Sequence, residues 1–300
     1  MSKTANFAFY ARTVLRISTL AIGVIVGSGF VGTIVLAEEL PATATTVEGL
    51  TLPDLDIRQD KDRLFFVVPE GKPVPARITL PRLANVVRSV HWISEDKATM
   101  QVNSEPAEWT IDVSTRPENT AAVIVAELDA SLELFHTTVV ARPEKDSGII
   151  RLPAKYAATH GSKLRFEPQP HKNTVGYWSD EHDTAEWTFQ NAAAGEYEID
   201  ILQGCGKGHG GSKVTLLVAD QTLDFVVEET GHFQNFIWRT LGTVTLEAGD
   251  AKEAVSLKLT PQSKPGGAVM DVRAIRLCPK GSKRTFEPEL TDAKLLPPKE

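Results

Sequence analysis

Alternation of apolar and polar residues in short runs is the feature that most constrains the fold of this chain. Apolar side chains recur at every second position in four runs: Tyr197 to Ile201, Val214 to Val218, Leu223 to Val227 and Val255 to Leu259. A period of two is typical of a strand with one buried face, whereas a helix repeats every 3.6 residues. With further strands expected at Glu186 to Phe189 and Val269 to Leu277, the pattern predicts a β-sandwich or jelly roll over residues 148–279.

A second β-rich segment precedes this one. Leu64 to Val68 is a short apolar run ended by Pro69, and Trp109, Ile111 and Val113 alternate with polar residues. Such runs predict a smaller sandwich over residues 52–130. The predicted fold is therefore all-β, with two β-sandwich domains. The remaining segments are predicted from composition: a spacer at 38–51, a linker at 131–147 and a disordered, proline- and charge-rich tail at 280–300.

The N-terminal residues 1–37 have the pattern of an export signal. Three basic residues come first: Lys3, Arg12 and Arg16. Ile17 to Leu36 is apolar or small, and Val35-Leu-Ala37 fits a small-residue cleavage site. The apolar run is also long enough to cross a bilayer, so an uncleaved anchor helix is the alternative. Both interpretations predict that residues 38–300 are exported to the periplasm, the cell surface or the medium.

Charge and cysteine content limit the possible partners. The formal net charge is −7, and an acidic chain repels phosphate backbones, so no nucleic-acid partner is expected. The membrane is expected only as a partner of the N-terminal segment, if that segment is not cleaved. Cys205 and Cys278 either pair in the exported protein or remain free thiols, and the sequence leaves both possibilities open.

The first β-rich segment resembles the C-terminal sandwich that follows the catalytic barrel in bacterial α-L-fucosidase-like glycoside hydrolases. The resemblance is carried by five runs: Arg63 to Val67, Ile78 to Leu83, Val87 to Ile93, Trp109 to Val113 and Thr120 to Leu128. In that family the catalytic carboxylates lie in the barrel. Too few residues precede residue 52 to form one, so the resemblance implies an accessory domain.

The second segment resembles the galactose-binding-like jelly rolls of carbohydrate-binding modules, which accompany secreted sulfatases and fucosidases of planctomycete-like bacteria. The motifs that carry this resemblance are His160 to Glu167, Gly176 to Trp178 with Asp183 and Trp187, Gly195 to Tyr197, Gln203 to Gly208, Thr230 to Asn235 and Ala268 to Leu277. The resemblance implies sugar recognition without fixing the sugar.

Candidate sugar contacts occur in the loops between the predicted strands. Sugars present apolar CH faces and hydroxyl rims, which proteins meet with a flat aromatic ring and with amide, acid or imidazole partners. The residues with this chemistry are Tyr177, Trp178, Asp180, His209, His232, Phe233, Gln234 and Asn235. We expect stacking on Tyr177 or Trp178, and we expect Trp187 and Trp238 to lie in the core.

The glycine-rich loop contains a GxGxxG match at Gly206, Gly208 and Gly211. A dinucleotide site needs a helix after this motif, and a β pattern from Lys213 follows instead. The loop is therefore predicted to be a wide connection whose glycines adopt positive φ, or one that lets a ligand approach the backbone with His209 at its tip.

No cofactor is required by this interpretation. Zinc is disfavoured, because Cys205 and His209 have no second ligand pair at a suitable spacing. The resemblance to carbohydrate-binding modules implies a possible structural calcium, with Glu167 and Asp271 at the matching ends of the sandwich. Carboxylate oxygens are ligands that calcium prefers.

The expected function is that of a non-catalytic carbohydrate-binding protein with a glycan or polysaccharide as partner. Neither GxSxG nor HExxH occurs, and adjacent loop acids such as Asp180, Glu181 and Asp183 are typical of a solvated surface. One alternative is an envelope-associated structural or adhesion protein that binds another protein. The other is an accessory subunit of a fucosidase or sulfatase, with a glycoside hydrolase or sulfatase as partner chain.

Overall fold

The computed structural model describes residues 40–287 except 96–97, 119–120, 137–139, 192 and 249–253. The predicted signal or anchor at residues 1–37 and the end of the tail at 288–300 lie outside the described residues. Within the described ranges, no helix is both long enough and apolar enough to cross a membrane.

The first half of the described chain is built from eight strands. They are β1 Thr45–Thr46, β2 Asp56–Asp60, β3 Arg63–Val67, β4 Arg77–Pro81, β5 Val87–Trp92, β6 Val102–Ser104, β7 Glu108–Asp112 and β8 Val123–Leu128. One sheet has the order β1-β2-β3-β8-β5, and a second has the order β4-β7-β6. Leu64, Phe66 and Trp109 are buried in the core of this half.

The second half contains twelve strands and one short 3₁₀ turn, Ala154–Tyr156. The strands are β9 Val140–Ala141, β10 Ile150–Pro153, β11 Ala158–His160, β12 Arg165–Glu167, β13 Thr174–Gly176, β14 Thr184–Gln190, β15 Gly195–Gly204, β16 Lys213–Val218, β17 Gln221–Val226, β18 Ile237–Leu246, β19 Ala254–Ser263 and β20 Asp271–Pro279. One sheet runs β12-β13-β20-β15-β18 with β10 on β20, and the other runs β11-β14-β19-β16-β17 with β9 on β14.

The all-β prediction is confirmed. The apolar residues that recur at every second position in the sequence are buried in the structure, and the residues between them are more exposed. On β16, Val214, Leu216 and Val218 are buried while Lys213 and Leu217 are exposed. Trp187 is buried on β14, as expected. Burial of each such side chain contributes about 1.5–3 kcal/mol, so the inward-facing positions of two sheets stabilise the sandwich.

The two halves on either side of residues 131–147 pack against each other. The rings of Trp109 and Phe166 lie 6.2 Å apart between centroids. The backbone N–H of Val87 donates to the carbonyl of Pro168 at 2.9 Å, and the Gln169 amide donates to the carbonyl of Val102 at 2.9 Å. The β12–β13 hairpin is therefore fixed by the first half.

The start of the predicted disordered tail contacts the sheet. Lys280 pairs with Glu196 at 2.7 Å, and Arg284 pairs with Glu198 at 2.7 Å and with Asp200 at 2.8 Å. Phe286 lies beside the Arg284 guanidinium. Residues 280–287, the start of the segment predicted to be disordered, thus contact charged partners on β15.

Candidate functional site

Four connections lie at one end of the second sandwich, and we call them the loop end: residues 177–183, 205–212, 227–236 and 264–270. The strand register places them together. Gly204 at the end of β15 pairs with Asp271 at the start of β20, and Ser263 at the end of β19 pairs with Lys213 at the start of β16. The loop end carries all the predicted sugar contacts.

Tyr177 is the exposed aromatic residue in the first of these loops. Its side chain is 52% exposed, and its φ of 58° lies in the left-handed region that residues other than glycine rarely adopt. The guanidinium carbon of Arg165 lies 3.8 Å from the ring centroid, and Arg165 is held by Glu105 at 3.0 Å. The ring is thus supported by a cation that the first half of the chain anchors.

Trp178 is fully buried, which corrects the expectation that it could stack on a ligand. Its indole N–H donates to the carbonyl of Asp183 at 3.0 Å, and its own carbonyl accepts from the N–H of Val269 at 2.8 Å. The left-handed backbone at Tyr177 and these two hydrogen bonds of Trp178 set the opposite burial of the two neighbouring rings. Trp178 fixes the loop and does not form its binding face.

Asp183 explains why this loop keeps its shape. The buried carboxylate accepts hydrogen bonds from the backbone N–H groups of three consecutive residues: Ser162, Lys163 and Leu164. These bonds satisfy donors that would otherwise remain unpaired in the bend before β12. Asp183 is therefore engaged by the backbone, and the polar surface of the loop is supplied by its neighbours.

Asp180 and His182 form an exposed polar pair. The Asp180 carboxylate lies 2.9 Å from His182 Nδ1 and also accepts the His182 backbone N–H at 2.9 Å. These bonds lower the pKa of Asp180, and the bond to Asp180 raises the pKa of the His182 imidazole. The charge of Lys264, in another connection of the loop end, lowers the pKa of Asp180 further.

His209 lies inside the loop end and does not project from its tip. Its Nδ1 accepts the N–H of Ala268 at 3.1 Å, and its ring meets Phe233 edge-on with centroids 5.1 Å apart. A Cβ at Gly267 would lie 2.9 Å from the imidazole, and one at Gly206 would lie 2.7 Å from the Phe233 ring. These glycines permit close packing of the loops, so His209 and Phe233 hold the loops together.

In the third loop, residues 227–236, most of the residues predicted to contact sugar form hydrogen bonds within the protein. The Asn235 amide donates to the carbonyl of Thr230 at 2.6 Å, and His232 Nδ1 accepts the N–H of Gln234 at 3.1 Å. The Gln234 side chain hydrogen bonds to Asp271. His232 is exposed, whereas Gln234 and Asn235 are partly buried.

Glu167 and Asp271, the predicted calcium ligands, are brought together. Both are buried, and burial together with the charge of Glu167 raises the pKa of Asp271 well above its usual range. Lys172 and Arg273 oppose this rise, and Lys172 Nζ donates to Glu167. In the part of the chain that the structure describes, no group of three or more His, Cys, Asp or Glu residues could hold a metal ion.

Sequence reasoning missed four cations: Lys264 within the loop end, and Arg165, Lys172 and Arg273 on the β12–β13 hairpin and β20 beside it. Arg165 stands in the motif His160 to Glu167, but its stacking on Tyr177 depends on the pairing of Arg165 with Gly176 across the β12–β13 hairpin.

A cavity of about 420 Å³ lies between the first and second halves of the described chain, and the hairpin loop Gln169 to Lys172 forms part of its wall.

Among known proteins, the chain is similar to several whose structures have been solved. No family model matches the sequence, and no curated protein matches it. An α-L-fucosidase from Vibrio sp. strain EJY3 is similar at 16% identity over 75% of this chain and 39% of that chain, with a TM-score of 0.31. The chain thus spans about two fifths of the fucosidase.

Two separate modules are similar to part of the chain. The C-terminal family 6 carbohydrate-binding module of LamC from Zobellia galactanivorans is 18% identical, over 43% of this chain and 98% of the module, with a TM-score of 0.34. A family 35 module from Clostridium thermocellum is 16% identical, over 43% and 96%, with a TM-score of 0.34. The similar structures therefore include an α-L-fucosidase and carbohydrate-binding modules, the two kinds of protein that the sequence resembles.

Proposed function

We propose that the loop end of the second sandwich binds carbohydrate without catalysing a reaction on it. The observation that carries the proposal is Tyr177, an exposed ring in a left-handed backbone conformation, supported by Arg165 at 3.8 Å. Backbone strain at an exposed aromatic residue needs support from its surroundings, and such residues cluster where ligands bind. A rigid aromatic ring is the group that stacks on the CH face of a sugar.

Polar groups for the hydroxyl rim lie on the same end. Asp180 and His182 precede β14 in the loop of Tyr177, Lys264 adds a positive charge beside Asp180, and His232 is exposed on the third loop. Asp180 is paired with His182 and not with a second carboxylate, which suits recognition better than the acid pair of a glycosidase. The proposed sugar contacts are therefore Tyr177, Asp180, His182 and His232.

A glycan-array screen of the purified protein tests this proposal. We expect at least one glycan to bind the wild type and to lose about two- to tenfold in affinity to Tyr177→Ala, because a stacking contact is worth roughly 0.5–1.5 kcal/mol beyond area burial and about 1.4 kcal/mol is a factor of ten. Phe286→Ala is the matched control, since Phe286 is also exposed but lies on the tail segment. An array without hits, from protein with an intact β-sheet circular dichroism spectrum, would reject the proposal and favour a protein partner.

We also propose that residues 1–37 export the chain and that it acts beside a glycoside hydrolase or sulfatase as a non-catalytic unit. The basic residues before an apolar run and the site at Val35-Leu-Ala37 support export. N-terminal sequencing of protein recovered from the host is expected to begin at Glu38. Recovery of the intact N-terminus in the membrane fraction would show an anchor instead.

A further inference from the structure

Two buried carboxylates beside the loop end, on β12 and β20, approach the same small space. Glu167 ends β12 and Asp271 begins β20, and they are 6% and 5% exposed. Gly176 lies between them on β13. A Cβ at Gly176 would lie 2.6 Å from Glu167 Oε2 and 2.8 Å from Asp271 Oδ1, so both carboxylates converge where glycine leaves room.

Two like charges that are buried together need a cation, because burial and mutual repulsion both disfavour the ionised forms. The chain supplies this cation itself. Lys172, in the turn of the β12–β13 hairpin, places Nζ within hydrogen-bond distance of Glu167 Oε1, and its side chain is 32% exposed. Asp271 also receives a hydrogen bond from the Gln234 side chain.

Arg273 supplies the second positive charge and fixes the turn that carries Lys172. Its Nη2 donates to the carbonyl oxygens of His171 at 3.1 Å and Lys172 at 2.7 Å, and its guanidinium lies 3.9 Å from the centroid of Phe236. Its location on β20, two residues after Asp271, places it beside the carboxylates. The cluster therefore has two carboxylates and two side-chain cations, which balance.

This arrangement does not fit a calcium ion. Calcium takes about six to eight oxygen ligands, often including backbone carbonyls. The carbonyls of His171 and Lys172 in the hairpin turn are bound by Arg273, and the described residues place no third acid with Glu167 and Asp271. A divalent ion added to two existing cations would leave an excess of positive charge in a buried place.

We propose that the Lys172 ammonium, bound to Glu167 beside Asp271, supplies the positive charge that this pair of carboxylates needs, so that this sandwich is stabilised by a side-chain cation in place of calcium. Calcium then has no bearing on the stability of the wild type. Removal of the ammonium leaves two facing carboxylates with too little positive charge, and the vacated position becomes one that a divalent cation stabilises.

Differential scanning calorimetry of the full chain tests this proposal, with wild type, Lys172→Met and Lys213→Met each scanned after dialysis against EDTA and in millimolar calcium chloride. Lys213→Met is the matched control, since Lys213 is an exposed lysine on β16 of the same sandwich. We expect the wild type and the control to melt at the same temperature in both buffers. Lys172→Met is expected to melt roughly 5 °C lower in EDTA and to recover part of that loss in calcium.

Two results would overturn the proposal. One is saturable calcium binding by the wild type in isothermal titration calorimetry, together with a higher melting temperature in calcium than in EDTA. The other is a Lys172→Met protein that is as stable in EDTA as Lys213→Met. If Lys172→Met does not fold, the wild-type titration alone decides.

Discussion

Arg276 Nε donates to Asp200 Oδ2 at 2.8 Å, and both side chains are buried on the face of the sheet formed by β15 and β20. Thr240 donates to the other carboxylate oxygen at 2.6 Å, and Arg284 from the tail segment lies 2.8 Å from Oδ2. The Arg276 guanidinium also lies 4.0 Å from the centroid of Trp238. One carboxylate thus pairs with two arginines and helps to hold residues 280–287 on the sheet.

Asp200→Asn removes this charge with almost no change in volume. We expect the free energy of unfolding to fall by about 3 kcal/mol, because two guanidinium groups lose their buried partner. Urea unfolding followed by tryptophan fluorescence measures the loss. Asp56→Asn breaks the surface pair with Arg58 and is expected to cost less than about 1 kcal/mol. Equal losses in the two variants would contradict the role given to Asp200.

Tyr177→Gly separates stability from binding at the loop end. Glycine adopts the left-handed conformation without strain, so we expect the free energy of unfolding to stay the same or to rise by up to about 1 kcal/mol. Glycan binding is expected to be lost with the ring. A thermal melt and the glycan array, run on the same preparation, give both values. A clear fall in melting temperature would show that the ring is structural.

Trp178→Ala, in contrast to Tyr177→Gly, is expected to lower the stability of the protein. Trp178 fills the core beneath the loop and donates to the Asp183 carbonyl, so its truncation should cost about 3–5 kcal/mol. Any loss of glycan binding in this variant follows from loss of structure. Proteolysis at increasing temperature compares it with Tyr177→Gly, and resistance equal to that of the wild type would count against core packing.

The strands could be predicted from the sequence because burial alternates along them with the same period as hydrophobicity. Val214, Leu216 and Val218 show this relation directly. The sequence could not decide between Tyr177 and Trp178, because adjacent aromatic residues in a loop have no period that assigns one of them to the inside. The answer depends on the backbone conformation at Tyr177 and on the acceptor at Asp183.

The resemblance to carbohydrate-binding modules named the two acids of the charge cluster, but its two cations could not be predicted from the sequence. Glu167 and Asp271 are far apart in the chain, and Lys172 meets Glu167 only because the β12–β13 hairpin turns back between them. Arg165 reaches Tyr177 through the same hairpin. Contacts of this kind depend on which residues face each other across strands, and hydrophobic periodicity carries no information on side-chain pairing between strands.

The Asp180–His182 pair predicts a small pH dependence. The pKa of His182 is raised by its bond to Asp180, so its contribution to stability is present below the pKa of an unfolded histidine and is lost as the pH rises through the folded pKa. The lowered pKa of Asp180 gives a contribution that is lost in acid. NMR titration should place His182 above the usual histidine range, and Asp180→Asn should return it to that range.

The two cysteines are predicted to remain separate thiols. On the β15–β20 ladder Cys278 pairs with Glu198, and Cys205 lies seven residues further along from Glu198, so about 23 Å separates them. A disulfide requires Cα atoms within about 7 Å. Both thiols are free and buried, and burial raises the pKa of each to about 11. We expect a chromogenic thiol reagent to label neither in the native protein at neutral pH and to label both in guanidinium chloride. Failure to label the denatured, unreduced protein would show that the thiols had paired.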